Sequence, residues 1–161
     1  MKKIMVIGCP GSGKSTFSRA LRDRLELPLI YMDRLFWNAD RTHVDRDEMD
    51  RRVENAVSGS EWIIDGNYQR TLEIRVKACD KVFLLDIPRD ECIKGVTQRI
   101  GTVREDMPWV ETGMDGEFLD YVRRFPEEQL RQIYELLERY ADKDITVFKS
   151  RHEADEYLKS I

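Results

Sequence analysis

Gly8-Cys9-Pro10-Gly11-Ser12-Gly13-Lys14-Ser15 lies between an apolar strand over Lys3–Ile7 and the helix-forming run Thr16-Phe17-Ser18-Arg19-Ala20-Leu21. It fits the pattern G-x-x-x-x-G-K-[ST] at every fixed position, and in the strand–loop–helix setting that the pattern needs. Glycines let the backbone curl until several N–H groups face one anion, and the helix N-terminus behind the loop adds partial positive charge. The loop therefore predicts a nucleoside triphosphate site. Its phosphates are expected against Gly8, Pro10, Gly11, Ser12, Gly13, Lys14, Ser15 and Thr16, with Lys14 reaching the β- and γ-phosphates and Ser15 holding Mg²⁺.

The 161 residues fit one domain, 1–161, with a sizeable core. Charged residues make up 36% of the chain, yet the net charge is −4, which argues against direct nucleic-acid binding and against an anionic membrane surface. Cys9, Cys79 and Cys92 form no C-x-x-C pair, a pattern that suits a reducing cytoplasm rather than a disulfide framework or zinc site. The only N-terminal apolar run leads straight into the loop and reads as a core strand, not a membrane span.

Beyond the loop the chain alternates apolar runs with helical periodicity. Strands are expected at Leu29–Met32, Glu61–Asp65, Lys81–Asp86 and Asp144–Phe148. A helix from Asp45 has Asp45 and Glu48 spaced as a capping box and Gly59 as its C-terminal stop. Another helix begins at Pro88, two helical stripes cover Phe118–Phe125 and Glu127–Tyr140, and Ser150 with Glu153 caps the last. Gly101–Gly116 is polar and irregular, so a lid-like segment is expected over about 101–125. Short buried strands alternating with helices predict a three-layer α/β/α fold around a five-stranded parallel sheet.

Ligands of such sheets sit beyond the carboxyl ends of the strands. Asp65 ends an apolar strand and is expected to orient Mg²⁺; Asp86 competes, but the Pro88 that follows favours a capping duty for it. Asp33 has two readings: a carboxylate facing an acceptor, able to take the proton of an attacking hydroxyl, or a turn-capping residue. Phe36-Trp37 is a candidate wall for an acceptor pocket. Arg34, Arg70 and Arg75 follow two of these strand ends, Arg99 and Arg104 bracket the start of the irregular segment, and Arg123 and Arg124 come later. Arginine forks suit transferring phosphate, and Arg99 and Arg104 are the preferred candidates because their segment reads as movable.

The loop, Asp33, Trp62-Ile63-Ile64-Asp65-Gly66-Asn67-Tyr68 and the arginine-bearing segment together resemble the adenylate-kinase-like branch of P-loop proteins. Met32–Trp37, Asp65–Thr71 and Glu117–Leu119 through Arg124–Pro126 more narrowly resemble the bacterial DNA topology modulation proteins. The wider resemblance implies strand order 2-3-1-4-5, a lid, ATP and Mg²⁺, with the adenine between Arg99 and Lys149-Ser150-Arg151. It departs on the acceptor side. Adenylate kinases follow the Asp-Gly with Phe-Pro-Arg, whereas here Asn67-Tyr68-Gln69 precedes Arg70. The second strand ends in Asp33-Arg34 rather than Thr-Gly, as in relatives that phosphorylate small hydroxyl compounds. The expected function is transfer of the ATP γ-phosphate to a small-molecule or nucleotide acceptor held by Asp33, Arg34, Asn67 and Arg70. A plain ATPase and a nucleotide-dependent regulator are the alternatives, and the lack of an N-K-x-D motif favours ATP over GTP.

Overall fold

A computed structural model describes residues 1–161. Five strands, β1 (Lys3–Gly8), β2 (Leu29–Tyr31), β3 (Trp62–Asp65), β4 (Lys81–Leu85) and β5 (Asp144–Phe148), form one sheet in the order β2-β3-β1-β4-β5. Every pairing is parallel: Val6 lies opposite Asp65 on one side and Phe83 on the other. Ile4, Met5, Val6, Ile63 and Ile64 have no exposed surface, so the central strands are covered on both faces, as an all-parallel sheet requires. The architecture and strand order match the expectation.

The helices are α1 (Lys14–Leu25), α2 (Met32–Phe36), α3 (Arg46–Val57), α4 (Leu72–Ala78), α5 (Arg89–Gln98), α6 (Gly116–Arg124), α7 (Gln129–Arg139) and α8 (Arg151–Ser160). On one face Phe17 of α1 and Tyr157 of α8 meet Phe83 and Phe148 of the sheet, with ring centroids 5.0–5.8 Å apart for the three rings that contact Phe83. Asp45 caps α3 as expected, its carboxylate accepting from the Glu48 N–H at 2.8 Å. The reciprocal half of that box is absent, because Glu48 turns to Arg51 and Arg52 instead. At α8 the Ser150 hydroxyl accepts from the Glu153 N–H, and the Glu153 carboxylate accepts from Lys149 N–H.

Three local expectations are corrected. Met32 leaves the strand and opens α2, so Asp33 stands in the first turn of a short helix directly after β2. Gly59 is not a left-handed stop: α3 ends at Ser58 in right-handed geometry, and the Gly59 N–H closes the turn on Ala56. A helix absent from the sequence reading, α4, follows Asp65 through a 3-10 turn at Gln69–Thr71. Its Arg75 is fully buried and donates to the carbonyls of Gly66 (2.6 Å), Asn67 and Tyr68. Burial drives that guanidinium down to about 9. An ion carried inside in this way depends on its hydrogen bonds; here the two terminal nitrogens hold the turn after β3, where Tyr68 takes a left-handed φ of 50°, while Nε has no partner.

The expected lid divides into two parts. From Gly101 to Asp115 the chain has no regular element, whereas α6 is anchored: Val122 and Phe125, 0% and 1% exposed, belong to the core. The irregular part is docked on the body at Glu105, whose carboxylate accepts from Arg22 (2.7 Å) and the Tyr31 hydroxyl (2.5 Å). No helix is long and apolar enough to cross a membrane.

Candidate active site

The loop after β1 is shaped by close packing. The Ser12 N–H returns to the Cys9 carbonyl at 3.0 Å, and Gly13 enters α1 with φ 98°, a conformation that favours glycine. Gly95 of α5 presses against Gly11 so closely that an added Cβ would sit 2.2 Å from the Gly11 carbonyl oxygen. Gly8 lines neither of the cavities described below. Its N–H donates to the Asn67 side-chain oxygen at 3.0 Å and its carbonyl accepts from the Asn67 amide at 2.6 Å, which ties the end of β1 to the turn after β3.

Two cavities open along the carboxyl edge of the sheet. One, of about 1120 Å³, is lined by Gly11–Thr16, Arg99, Arg104 and Arg151 among others. The other, of about 560 Å³, lies toward β2 and is lined by Pro10, Asp33, Trp37, Asp65, Asn67 and Tyr68 among others. Lys14, Ser15, Arg99, Arg104 and Asp106 border both, forming a shared wall. Most residues expected at the site thus come together. Arg34 and Arg70 do not: Arg34 donates to the carbonyls of Glu105 (2.8 Å) and Met107 (3.1 Å), and Arg70 pairs with Asp50. Both arginines are captured by the nearest backbone or carboxylate acceptors on neighbouring elements, which sequence order does not reveal. Asn67 lines the β2-side cavity, but its amide is committed to Gly8.

Lys14 folds back onto the Cys9 carbonyl at 3.3 Å. Asp65 is 4% exposed, and one of its carboxylate oxygens has no hydrogen-bond partner. Burial pushes its carboxyl up to about 6; Lys14 and a Ser15 hydrogen bond pull down, and Asp106 and Asp33 push up. A buried carboxylate oxygen free beside a serine hydroxyl fits Mg²⁺, which takes hard oxygen ligands and keeps several waters. No three His, Cys, Asp or Glu side chains gather to hold a metal by themselves.

Asp33 caps nothing. Its carboxylate accepts from the Tyr68 hydroxyl at 2.5 Å and lines the β2-side cavity, so the turn-capping reading does not hold. Burial raises its carboxyl above the ordinary range, against the lowering pull of Tyr68. On the shared wall Arg104 makes two hydrogen bonds to Asp106, at 3.0 and 2.6 Å, both side chains being nearly covered. Arg99 keeps a buried Nε without a partner; burial, then Arg104, lowers its guanidinium. Arg151 bonds the carbonyls of Gly11 (2.7 Å) and Glu91 (3.1 Å), placing it over the loop.

The sequence reading missed Tyr68, Asp106 and Tyr121 as site residues. Tyr68 stood in a quoted segment, and the spacing of Arg104 and Asp106 was the one available sign of the second. Trp37 lines the β2-side cavity as expected of it, and Trp109 joins it there.

No protein-family model matches the chain, and no curated protein matches it. Among solved structures it is similar to shikimate kinase from Acinetobacter baumannii in complex with shikimate, with TM-score 0.66 and 13% identity over 99% of this chain and 92% of that one. It is also similar to shikimate kinase from Aquifex aeolicus (TM-score 0.60, 17% identity, 98% and 91% covered) and from Bacteroides thetaiotaomicron (0.60, 14%, 98% and 94%). The chain therefore has the P-loop NTPase fold in the form found in these kinases. At such identities the likeness extends to the fold alone.

Proposed function

We propose that the chain is an ATP-dependent phosphotransferase that moves the γ-phosphate to a hydroxyl of a small acceptor. The observation that carries this reading is the shared wall: two cavities, one on the phosphate-binding loop and one beside Asp33, meet at Lys14, Ser15, Arg99, Arg104 and Asp106. A hydrolase needs one cavity and a water, whereas transfer between two bound molecules needs two sites with a common border. The kinase fold of the structural neighbours agrees.

In this reading the loop N–H groups and Lys14 hold the ATP phosphates, and Arg151 flanks the base. Ser15 and Asp65 would hold Mg²⁺, which supplies positive charge at the β- and γ-phosphates. Asp33 accepts the proton of the acceptor hydroxyl, with Tyr68 favouring its ionised form. Lys14, Arg99 and Arg104 face the transferring oxygens, where preorganised donors act most strongly. Of the resemblance to DNA topology modulation proteins the proposal keeps only the nucleotide chemistry, since a net charge of −4 offers no draw toward nucleic acid.

The test is ADP release from ATP–Mg²⁺ with a panel of nucleosides, nucleoside monophosphates and small metabolites. Acceptor-dependent release is expected, and slow release indifferent to every acceptor would establish hydrolysis instead. Lys14→Ala is expected to lower turnover by roughly 10²-fold or more. A variant with undiminished ATP affinity and turnover would remove the loop from the mechanism.

A further inference from the structure

Arg41 stands at the tip of a small hairpin between α2 and α3, closed by an antiparallel bridge from Trp37 to His43. The tip is held by its own hydrogen bonds. The Asn38 N–H donates to the Thr42 carbonyl at 2.8 Å and the Arg41 N–H to the Asn38 carbonyl at 3.0 Å. Asp40, the carboxylate next to Arg41 in sequence, accepts from the Thr42 N–H and hydroxyl at 3.0 and 2.5 Å. The Arg41 guanidinium has no hydrogen-bond or ion-pair partner. It lies over the Trp109 ring, 5.8 Å from the centroid. A cation over an aromatic face gives up none of its N–H donors, so the fork stays available in its own plane. Arg41 also has a φ of 69°, a left-handed conformation that suits glycine or asparagine better. Turn chemistry therefore does not account for an arginine at this position.

The other charges lining the β2-side cavity mostly have partners. Arg104 holds Asp106 and, at 3.6 Å, Glu111. Asp115 caps α6 by accepting from the Glu117 N–H at 3.0 Å, Asp33 accepts from Tyr68, and Lys14 donates to the Cys9 carbonyl. Two guanidiniums are left over, Arg41 and Arg99. Arg99 stands on the wall shared with the loop-side cavity, where the transferring phosphate is expected, whereas Arg41 borders the β2-side cavity alone.

We propose that Arg41 grips an anionic group, carboxylate or phosphate, on the acceptor, which carries that group together with the hydroxyl that faces Asp33. This rests on the phosphotransferase reading above. A guanidinium fork meets two oxygens of either group in one plane. Trp37 and Trp109, edge to face with centroids 5.3 Å apart, wall the space, and about 560 Å³ suits a small organic molecule. In the transfer the acceptor oxygen bonds to the γ-phosphorus, the bond to the bridging oxygen of ADP breaks, and the hydroxyl proton passes to Asp33. The anionic group stays bound to Arg41 throughout.

Calorimetric titration of the full chain, with its loop site filled by Mg²⁺ and a non-hydrolysable ATP analogue, tests this. Shikimate is compared with its uncharged methyl ester, and the 5′-monophosphates of adenosine, cytidine and thymidine with the nucleosides. At least one anionic probe is expected to bind about tenfold or more tightly than its uncharged counterpart, and the pair that shows it tells carboxylate from phosphate. Arg41→Gln, at an exposed position, is expected to weaken that probe by about 10- to 10²-fold and its uncharged counterpart by no more than about twofold. Equal loss for both members of the pair would mean that Arg41 only braces Trp109, and overturns the proposal. So does an undiminished anionic probe, or failure of every anionic probe to bind. ADP release on the same panel separates the two readings. Release stimulated only by uncharged acceptors keeps phosphotransfer and rejects the role of Arg41. An anionic probe that binds through Arg41 without stimulating release keeps the anion site and rejects transfer.

Discussion

Gly95→Ala sets two effects of opposite sign against each other. In an exposed helix the change stabilises by roughly 1 kcal/mol, because alanine restricts the unfolded chain more than glycine does. At position 95, in α5, the new Cβ would stand 2.2 Å from the Gly11 carbonyl oxygen and 2.9 Å from the Gly11 Cα. An ordinary carbon–oxygen contact is about 3.3 Å or more, so helix and loop must part by roughly 1 Å. Both partners are backbone and neither can rotate away. Overpacking of this kind costs about 1–3 kcal/mol, and contact with rigid backbone puts this site at the upper end, for a net loss of about 2 kcal/mol. In a chain of this length that lowers the melting temperature by about 4–8 °C. Nucleotide binding is the more telling readout, since a shift of about 1 Å in a positioning element can cost on the order of 10²-fold. Gly116→Ala is the control, because a Cβ there meets nothing within 4 Å; it is expected to melt at or slightly above the parent. Scanning calorimetry and ATP titration on both variants settle the sign. A Gly95→Ala protein as stable as the parent, with the same ATP affinity, would falsify the idea that α5 holds the loop in place through this contact.

Asp65→Asn is expected to stabilise the ligand-free protein at pH 8 and to leave it unchanged near pH 4. Burial raises the carboxyl from an ordinary 3.8 to about 6, so its favourable neutral form is complete below about pH 4 and lost as pH rises through about 6, a cost on the order of 3 kcal/mol above that. Melting temperatures of the pair at pH 4, 6 and 8 check this, and a gap that does not widen with pH refutes it. Tyr68→Phe removes the hydroxyl that donates to Asp33 at 2.5 Å. A hydrogen bond to a charged group is worth about 1.5–3 kcal/mol, so the Asp33 carboxyl rises further and the acid limb of kcat/KM moves up by about 1–2 pH units; an unmoved limb would show that Asp33 is not the base.

The phosphate loop, the five strands and the two Ser/Asp caps were legible because each depends on neighbours in sequence: a glycine pattern, an apolar run, an oxygen three residues before an N–H. What escaped depends on neighbours in space. The run Leu72–Ala78 carries only a short apolar stripe, Leu72 and Val76, and its Arg75 bonds carbonyls seven to nine residues earlier. Arg34, Arg70 and Arg75 looked equivalent, three arginines just past strand ends. A buried turn, a pair of carbonyls in the irregular segment and a carboxylate on α3 took one each. An arginine has five donors and a long stem, so its destination is decided by the acceptors that folding brings within reach. Gly95 carried no signal at all, since its partner lies 84 residues away.

Eight buried side-chain polar atoms lack hydrogen-bond partners, and five of them, on Ser12, Asp65, Arg99, Arg104 and Arg151, belong to residues that border the two cavities. Each such atom costs about 1–3 kcal/mol when left unmet, so a domain that bonds its other buried groups this fully concentrates its strain where ligands bind. The signs of these groups follow the division of labour. Three of the five are arginines, all bordering the loop-side cavity, where the proposed nucleotide would offer them acceptors. The fourth is the Ser12 hydroxyl in the loop itself. The fifth, Asp65, is an acid at the edge of the loop and on the β2-side cavity, where a cation paired with the triphosphate would relieve it. A ligand that satisfies these atoms stabilises the folded chain in proportion to its affinity, so Mg²⁺ and ATP together should raise the melting temperature by more than either alone. Two of the unmet donors, on Arg99 and Arg104, stand on the wall that the loop-side and β2-side cavities share. The five unmet atoms therefore gather at the loop and at its border with the β2-side cavity, whereas the rest of that cavity is walled by Trp37, Tyr68, Trp109 and Tyr121, residues far apart in sequence that only folding brings together.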